Sequence, residues 1–328
     1  MAAAQASGDP RAVRAGPIVH DALGSRDPLG ARSTCQLLPE RPGVYRFRDL
    51  RGVSMYVGRA TNLRSRTSSY WGSLKGRAHL RRMVPQISAL EAIECASVHE
   101  AAWLERNILE RGLLRWNRAR GGQEVPVWLV LDPEPRSPGL RLTHGPGTEG
   151  ITIGPYLGAD RARLIRSGIL RVWPIAATGT GLTGSERDMA AARGVGPEDR
   201  DSFAAAIQDA LAGRSAEVDQ WRAGLAAARD RASAGLAFEL AGQIMSEMEA
   251  IGWATGVQRV TALERIDADV HGWSEGVLVS LQIRAGRMER WRQALVNTEP
   301  RRKVDRTPEQ WRGFAAANAR LAASLLGR

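Results

Sequence analysis

Three of the four tyrosines in this chain, Tyr45, Tyr56 and Tyr70, fall in one stretch, GVYRFRDLRGVSMYVGRATNLRSRTSSY at residues 43–70. Residues 43–48 and 53–57 are short β-branched or aromatic runs, and Asp49-Leu50-Arg51-Gly52 between them is a turn signal. The pair therefore predicts a β-hairpin. Thr61-Asn62 then offers a helix N-cap, and Leu63, Arg66 and Tyr70 recur at helical spacing. Arg46, Arg48, Arg51, Arg59, Arg64 and Arg66 surround the phenols against a single acid, Asp49. Phenol hydroxyls on adjacent strands and guanidinium groups on the next helix would converge on one small surface, and such a surface suits a phosphodiester.

Charge points the same way. The chain of 328 residues carries a net charge of +11, with a pI near 10.8. A polyanion is the natural partner, and a solvated basic surface is the plainer alternative. The excess is local: between Arg41 and Arg82 there are eleven Lys or Arg and one acid. Cys35 and Cys95 have neither the number nor the spacing of a disulfide framework or a metal site, which predicts free thiols in a reducing cytoplasm. No apolar run approaches the roughly 18 residues of a membrane-spanning helix, and no hydrophobic secretion signal opens the chain.

The phrase LPERPGVYRF…MYVGRATNLRSR…SYW, continued by HEAAWLERNILE and RWN, resembles the GIY-YIG nuclease domain. The form is GVY…YVG, as in the N-terminal part of the UvrC family of excinucleases. The resemblance implies an α/β (α+β) domain with a small, mostly antiparallel sheet flanked by helices. A helical UVR-like hairpin and a small C-terminal α/β segment would follow it. The boundaries expected are a disordered leader at 1–33, the nuclease-like domain at 34–122, and a connecting region containing Gly154-Pro155-Tyr156 at 123–200. A UVR-like hairpin at 201–255 and a remnant of the family's middle region at 256–328 complete the order. Residues 181–200 read as a Gly-rich linker or loop. AGLAFELAGQIMSEMEAI is similar to the UVR motif, which would dock on UvrB through residues 215–252; a plain amphipathic hairpin closing its own core is the alternative. Asp267 and Asp269 read as turn residues in preference to Mg²⁺ ligands. No counterpart of the family's second, RNase H-like nuclease or of its helix–hairpin–helix module is expected before Arg328.

The resemblance also implies roles for particular residues. Tyr56 would be the general base, Tyr45 and Tyr70 would orient water, phosphate or Arg66, and Arg66 would face the phosphate. Glu105 would hold one Mg²⁺ or Mn²⁺, against the alternative of a surface glutamate paired with Arg106 or Arg111. Asn117 would hold the loop after the Glu105 helix, and Gly58 would let the backbone approach closely. Further DNA contacts are expected at Arg46, Arg48, Gly58, Arg64, Lys75 and Arg77. A free tyrosine has a pKa of about 10, so only about one in a thousand is ionised at pH 7. Arg59, three residues on from Tyr56, is expected to lower that value while remaining unable to shuttle a proton. The function implied is a monomeric, metal-dependent endonuclease of nucleotide excision repair. It would make one incision, on the 3′ side of a lesion in duplex DNA presented by UvrB. A non-catalytic DNA- and UvrB-binding accessory, and a nuclease independent of UvrB, remain alternatives.

Overall fold

The computed structural model describes residues 28–74, 78–118, 124–256, 259 and 266–327. Three antiparallel three-stranded sheets and ten helices make up these residues, in the mixed α/β class that the sequence predicts. In the first sheet β1 (Gly43–Arg48) lies between β2 (Ser54–Ala60) and β3 (Ala89–Glu94). All six β1 residues are buried, because both faces of the strand are covered. Tyr45 and Phe47 face one core, built with Leu38, Leu63, Tyr70, Leu80 and Met83. Helices α1 (Pro28–Thr34) and α2 (Leu63–Ser68) and two 3₁₀ turns (Ala78–Arg82, Val84–Gln86) supply that side. Val44 faces the opposite core with Ile93 and the apolar side of α3 (Val98–Arg111).

The second sheet orders β4 (Pro126–Leu131) between β5 (Leu140–Thr143) and β6 (Ile151–Leu157). It shares a core with α4 (Ala159–Val172), α6 (Arg200–Leu211), α7 (Ser215–Ala234) and α8 (Phe238–Ala254). Helices α7 and α8 form an antiparallel hairpin about residues 235–237. Its base is apolar and buried through Trp221, Leu225, Ile244 and Ile251, while its tip exposes Leu236 and Phe238, at 74% and 65%. His99 of α3, Tyr156 of β6 and Trp253 of α8 stack where the two halves meet. The His99 ring lies 4.4 Å from Trp253 and 5.5 Å from Tyr156.

The third sheet, β7 (Ala268–Ser274), β8 (Val277–Arg284) and β9 (Arg287–Leu295), places Val270, Val279, Leu281 and Trp291 in the core that also holds Val44 and Ile93. After the short α9 (Arg301–Val304), α10 (Glu309–Leu325) runs beside β3. There Asn318 accepts from the Glu94 N–H at 2.8 Å and donates to its carbonyl at 3.2 Å. An edge strand that would otherwise offer unpaired backbone is thereby closed.

Several expectations need correction. Within the leader expected to be disordered, residues 1–27 lie outside the described residues, but 28–33 form most of α1, with Ala31 buried against the tyrosine-side core. The stretch 181–200 contains α5 (Gly184–Ala192), started by a capping box in which Thr183 and Glu186 satisfy each other's backbone donors. That Thr-x-x-Glu signal stood in the sequence but was outweighed by the glycines around it. Asp269 lies within β7 and pairs with Arg284 at 2.6 Å, while Asp267 accepts the Ala285 N–H at 2.7 Å. Both cysteines are free and buried. No described helix is long and apolar enough to cross a membrane.

The stacked histidine carries a testable consequence. Its Nε2 accepts from the Trp103 indole at 3.1 Å, and burial lowers its pKa from 6.5 to about 4. Between those values the unfolded chain binds the extra proton, so stability falls as pH drops from 6.5 toward 4. Thermal melts across that window should show this decline, and His99→Gln should flatten it. Equal slopes in the two proteins would contradict the assignment.

Candidate active site

The hairpin forms where it does because its turn is satisfied internally. Asp49 accepts from the Arg51 and Val53 N–H groups, both at 2.9 Å, and Gly52 takes φ +75°. The β1–β2 register sets Tyr45 opposite Gly58 and Phe47 opposite Tyr56. A Cβ on Gly58 would lie 2.5 Å from the Tyr45 hydroxyl oxygen, so only glycine lets that phenol rest against β2. Helix α2 begins at Asn62, whose side chain accepts the Ser65 N–H at 2.9 Å, and the turn after it delivers Tyr70.

The three phenols meet as the sequence predicts. Ring centroids of Tyr45, Tyr56 and Tyr70 lie 5.9–6.2 Å apart, and the Tyr45 and Tyr70 hydroxyls are hydrogen-bonded at 2.7 Å. Arg66 donates from Nε to the Tyr45 hydroxyl at 3.3 Å. Tyr45 and Tyr70 are fully buried, whereas Tyr56 is partly exposed. The first two therefore aim Arg66, and Tyr56 is the phenol that a ligand can reach.

Glu105 reaches the same edge of the sheet from the middle of α3. Its Oε1 accepts the Arg59 N–H at 3.2 Å, and its Oε2 lies 3.6 Å from Arg59 Nε. Burial raises its pKa, opposed chiefly by Arg59. Asn117 pins the following loop: Oδ1 accepts the Val57 N–H at 3.0 Å, and Nδ2 donates to the Val57 carbonyl at 2.8 Å. The Trp116 N–H adds a bond to the Met55 carbonyl at 3.2 Å.

Other expected contacts are redirected. Arg46 and Arg48 point to the face of β1 away from the phenols, since side chains alternate along a strand. They are buried, both pair with Glu91, and the Arg46 guanidinium lies 4.1 Å over the Trp291 ring. Neither is free to meet DNA. Arg64 donates to the Leu38 carbonyl and to Glu40, at 2.8 and 2.9 Å, and remains partly exposed. Lys75 and Arg77 lie outside the described residues.

Arg59 also differs from expectation. Positions three apart on a strand face opposite sides, so its guanidinium lies away from Tyr56. It is held by Glu124, with two bonds of 2.8 Å from Nη1 and Nη2. The Tyr56 pKa is raised, first by burial and then by the Tyr70 phenol; Glu105 adds to this, and Arg66 opposes it. Glu124 went unrecognised in the sequence because nothing marks a residue so distant in the chain as the partner of Arg59. Arg118, which donates to His79 at 2.9 Å, was missed for the same reason.

Glu105 offers this edge of the sheet a single carboxylate, 21% exposed. Among the described residues no group of three His, Cys, Asp or Glu could enclose a metal ion. A single half-shielded carboxylate such as Glu105 matches Mg²⁺ or Mn²⁺, which keep waters and take few protein oxygens. The packing around Gly58 gives the site's simplest test. Gly58→Ala should cost about 1–3 kcal/mol through overpacking against Tyr45, read as a lower urea midpoint. An unchanged midpoint would show that the phenol is not held there.

Residues 41–117 match the family described as the UvrC-like GIY-YIG domain. The chain is 30% identical over 280 residues to UvrABC system protein C of Saccharopolyspora erythraea, covering 80% of this chain and 39% of the relative. Against the protein of the same name from Chlorobaculum tepidum, identity is 29%, covering 76% and 43%. For that of Mycobacterium tuberculosis strain H37Rv it is 28%, covering 80% and 43%. The chain thus spans about two fifths of the length of these relatives. No solved structure matches. The chain therefore carries a UvrC-like GIY-YIG domain, set within a longer stretch similar to UvrABC system protein C.

Proposed function

We propose that this protein is a DNA endonuclease of nucleotide excision repair, making a single incision on the 3′ side of a lesion presented by UvrB. The observation that carries the reading is the convergence of reachable Tyr56, Arg66 and Glu105 on one edge of the sheet, held there by two buried phenols. Arg66 supplies fixed positive charge and a donor fork for phosphate oxygens. Tyr56 takes the proton of the attacking water, and because burial holds its pKa high, the reactive phenolate grows with pH. Glu105 would hold the divalent ion, which when bound supplies charge stabilisation to the leaving oxygen.

Incubating the protein with UvrB-loaded lesion duplex and Mg²⁺ or Mn²⁺ should give one cut, absent in EDTA. Tyr56→Phe and Glu105→Ala should each lower the rate by at least about a hundredfold, the usual scale for general acid–base catalysis. Below the Tyr56 pKa the rate should climb roughly tenfold per pH unit. Two cuts, or full activity in Glu105→Ala, would refute the proposal.

The α7–α8 hairpin supports UvrB as the presenting partner. Its base is committed to the protein's own core, whereas Leu236, Phe238, Leu240 and Met245 at and near its tip are exposed. Such apolar side chains, clear of the core, suit docking on another protein. Pull-down of UvrB should be lost with Phe238→Ser combined with Leu240→Ser while the melting temperature holds. Retained pull-down would refute the hairpin tip as the docking site, whereas no pull-down by the wild type would favour a nuclease that works without UvrB.

A further inference from the structure

The contact between Arg59 and Glu124 has the geometry of phosphate recognition turned inward. Two parallel N–H···O bonds of 2.8 Å join the guanidinium edge to the carboxylate. That is the fork-to-fork arrangement which Arg offers equally to a phosphodiester. Both side chains remain partly open to solvent, Arg59 at 34% and Glu124 at 40%, so an external anion can reach the pair. Both are also anchored. Arg59 gives its backbone N–H to Glu105 at 3.2 Å, and the Glu124 carbonyl accepts from Arg106 Nη1 at 2.6 Å. Arg106 follows Glu105 on α3 and is itself steadied by Glu110 at 2.7 Å. The carboxylate is thus fixed beside the residue proposed to hold the metal ion, occupying the donor edge that faces it.

We propose that Glu124 is an internal competitor for nucleic-acid phosphate at Arg59: it holds the guanidinium in place in the free protein and yields it to a backbone phosphate of the bound strand. The inference deepens the nuclease reading and rests on it for the identity of the phosphate. It makes Glu124 a positioning residue that acts through Arg59. Weak encounters that offer one phosphate must displace an anion already seated. A strand that also engages Arg66 and the Tyr56 edge gains enough to do so. Discrimination against casual binding follows.

The test uses the full chain, EDTA and a fluorescein-labelled 20-mer duplex read by anisotropy at several salt concentrations. Glu124→Gln should tighten binding about three- to tenfold, the scale of a partly exposed ion pair. It should also steepen the dependence of log affinity on log salt by about one counterion. In an Arg59→Gln background the same change should leave both affinity and slope unaltered. Glu124→Asp, which keeps the charge, should stay near wild type. An equal gain in both backgrounds would reduce Glu124 to a source of general repulsion and overturn the proposal, as would unchanged or weaker binding in Glu124→Gln. Nicking by the wild type is scored separately with metal. Nicking without the Arg59-dependent gain sinks this inference alone, whereas the gain without nicking sinks only the nuclease reading.

Discussion

Strand β1 must be covered on both sides, and the rest of the molecule is arranged around that need. A strand whose six residues are all buried requires two packed layers. Residues 31–74 and 78–87, with Leu321 of α10, supply the first, closing over Tyr45 and Phe47. The second comes from α3, α10 and the third sheet, closing over Val44 and the Arg46–Glu91 pair. The second layer has to accept a buried ion pair, which is tolerable because both Glu91 oxygens are bonded, one by Arg46 and one by Arg48, and Arg46 also stacks on Trp291.

The same covering sets the chemistry on the other face. Burial makes all charge costly there, and it raises the pKa values of Tyr45 and Tyr56. Tyr45 and Tyr70 use their hydroxyls on each other, and Tyr45 also accepts from Arg66. They act as a scaffold that holds the Arg66 guanidinium beside the phenols. At the β2 edge, by contrast, Tyr56 and Glu105 approach solvent.

The hairpin, the Asn62 cap, the Glu105 helix and the α7–α8 pair were legible because each rests on local periodicity or a short turn signal. So was the meeting of the three phenols, which follows from strand register together with one helical turn. The opposite placement of Arg46, Arg48 and Arg59 was also within reach, because alternation along a strand decides it. Those residues were misjudged by counting charge without asking which face each occupied. Glu124, Asn318 and Trp291 were not legible. Their partners lie 65, 224 and 245 residues away, and no pattern in the chain links such distant positions. Strand β7 was hidden because small Ala268 and Gly272 occupy inward positions, and β9 because a register shift sets buried Met288 and Trp291 three residues apart and breaks the alternation.

The stacking of Arg46 on Trp291 makes the GIY-YIG-like part dependent on the third sheet. The Arg46 guanidinium lies against Trp291 of the third sheet, and both it and its partner Glu91 are buried. Shortening the polypeptide ahead of β9 would unroof a charged pair inside the hairpin's own strand and reopen the margin of β3 that Asn318 seals. The nuclease-like portion is accordingly no detachable cassette. Its integrity is inherited from residues with no share in the chemistry.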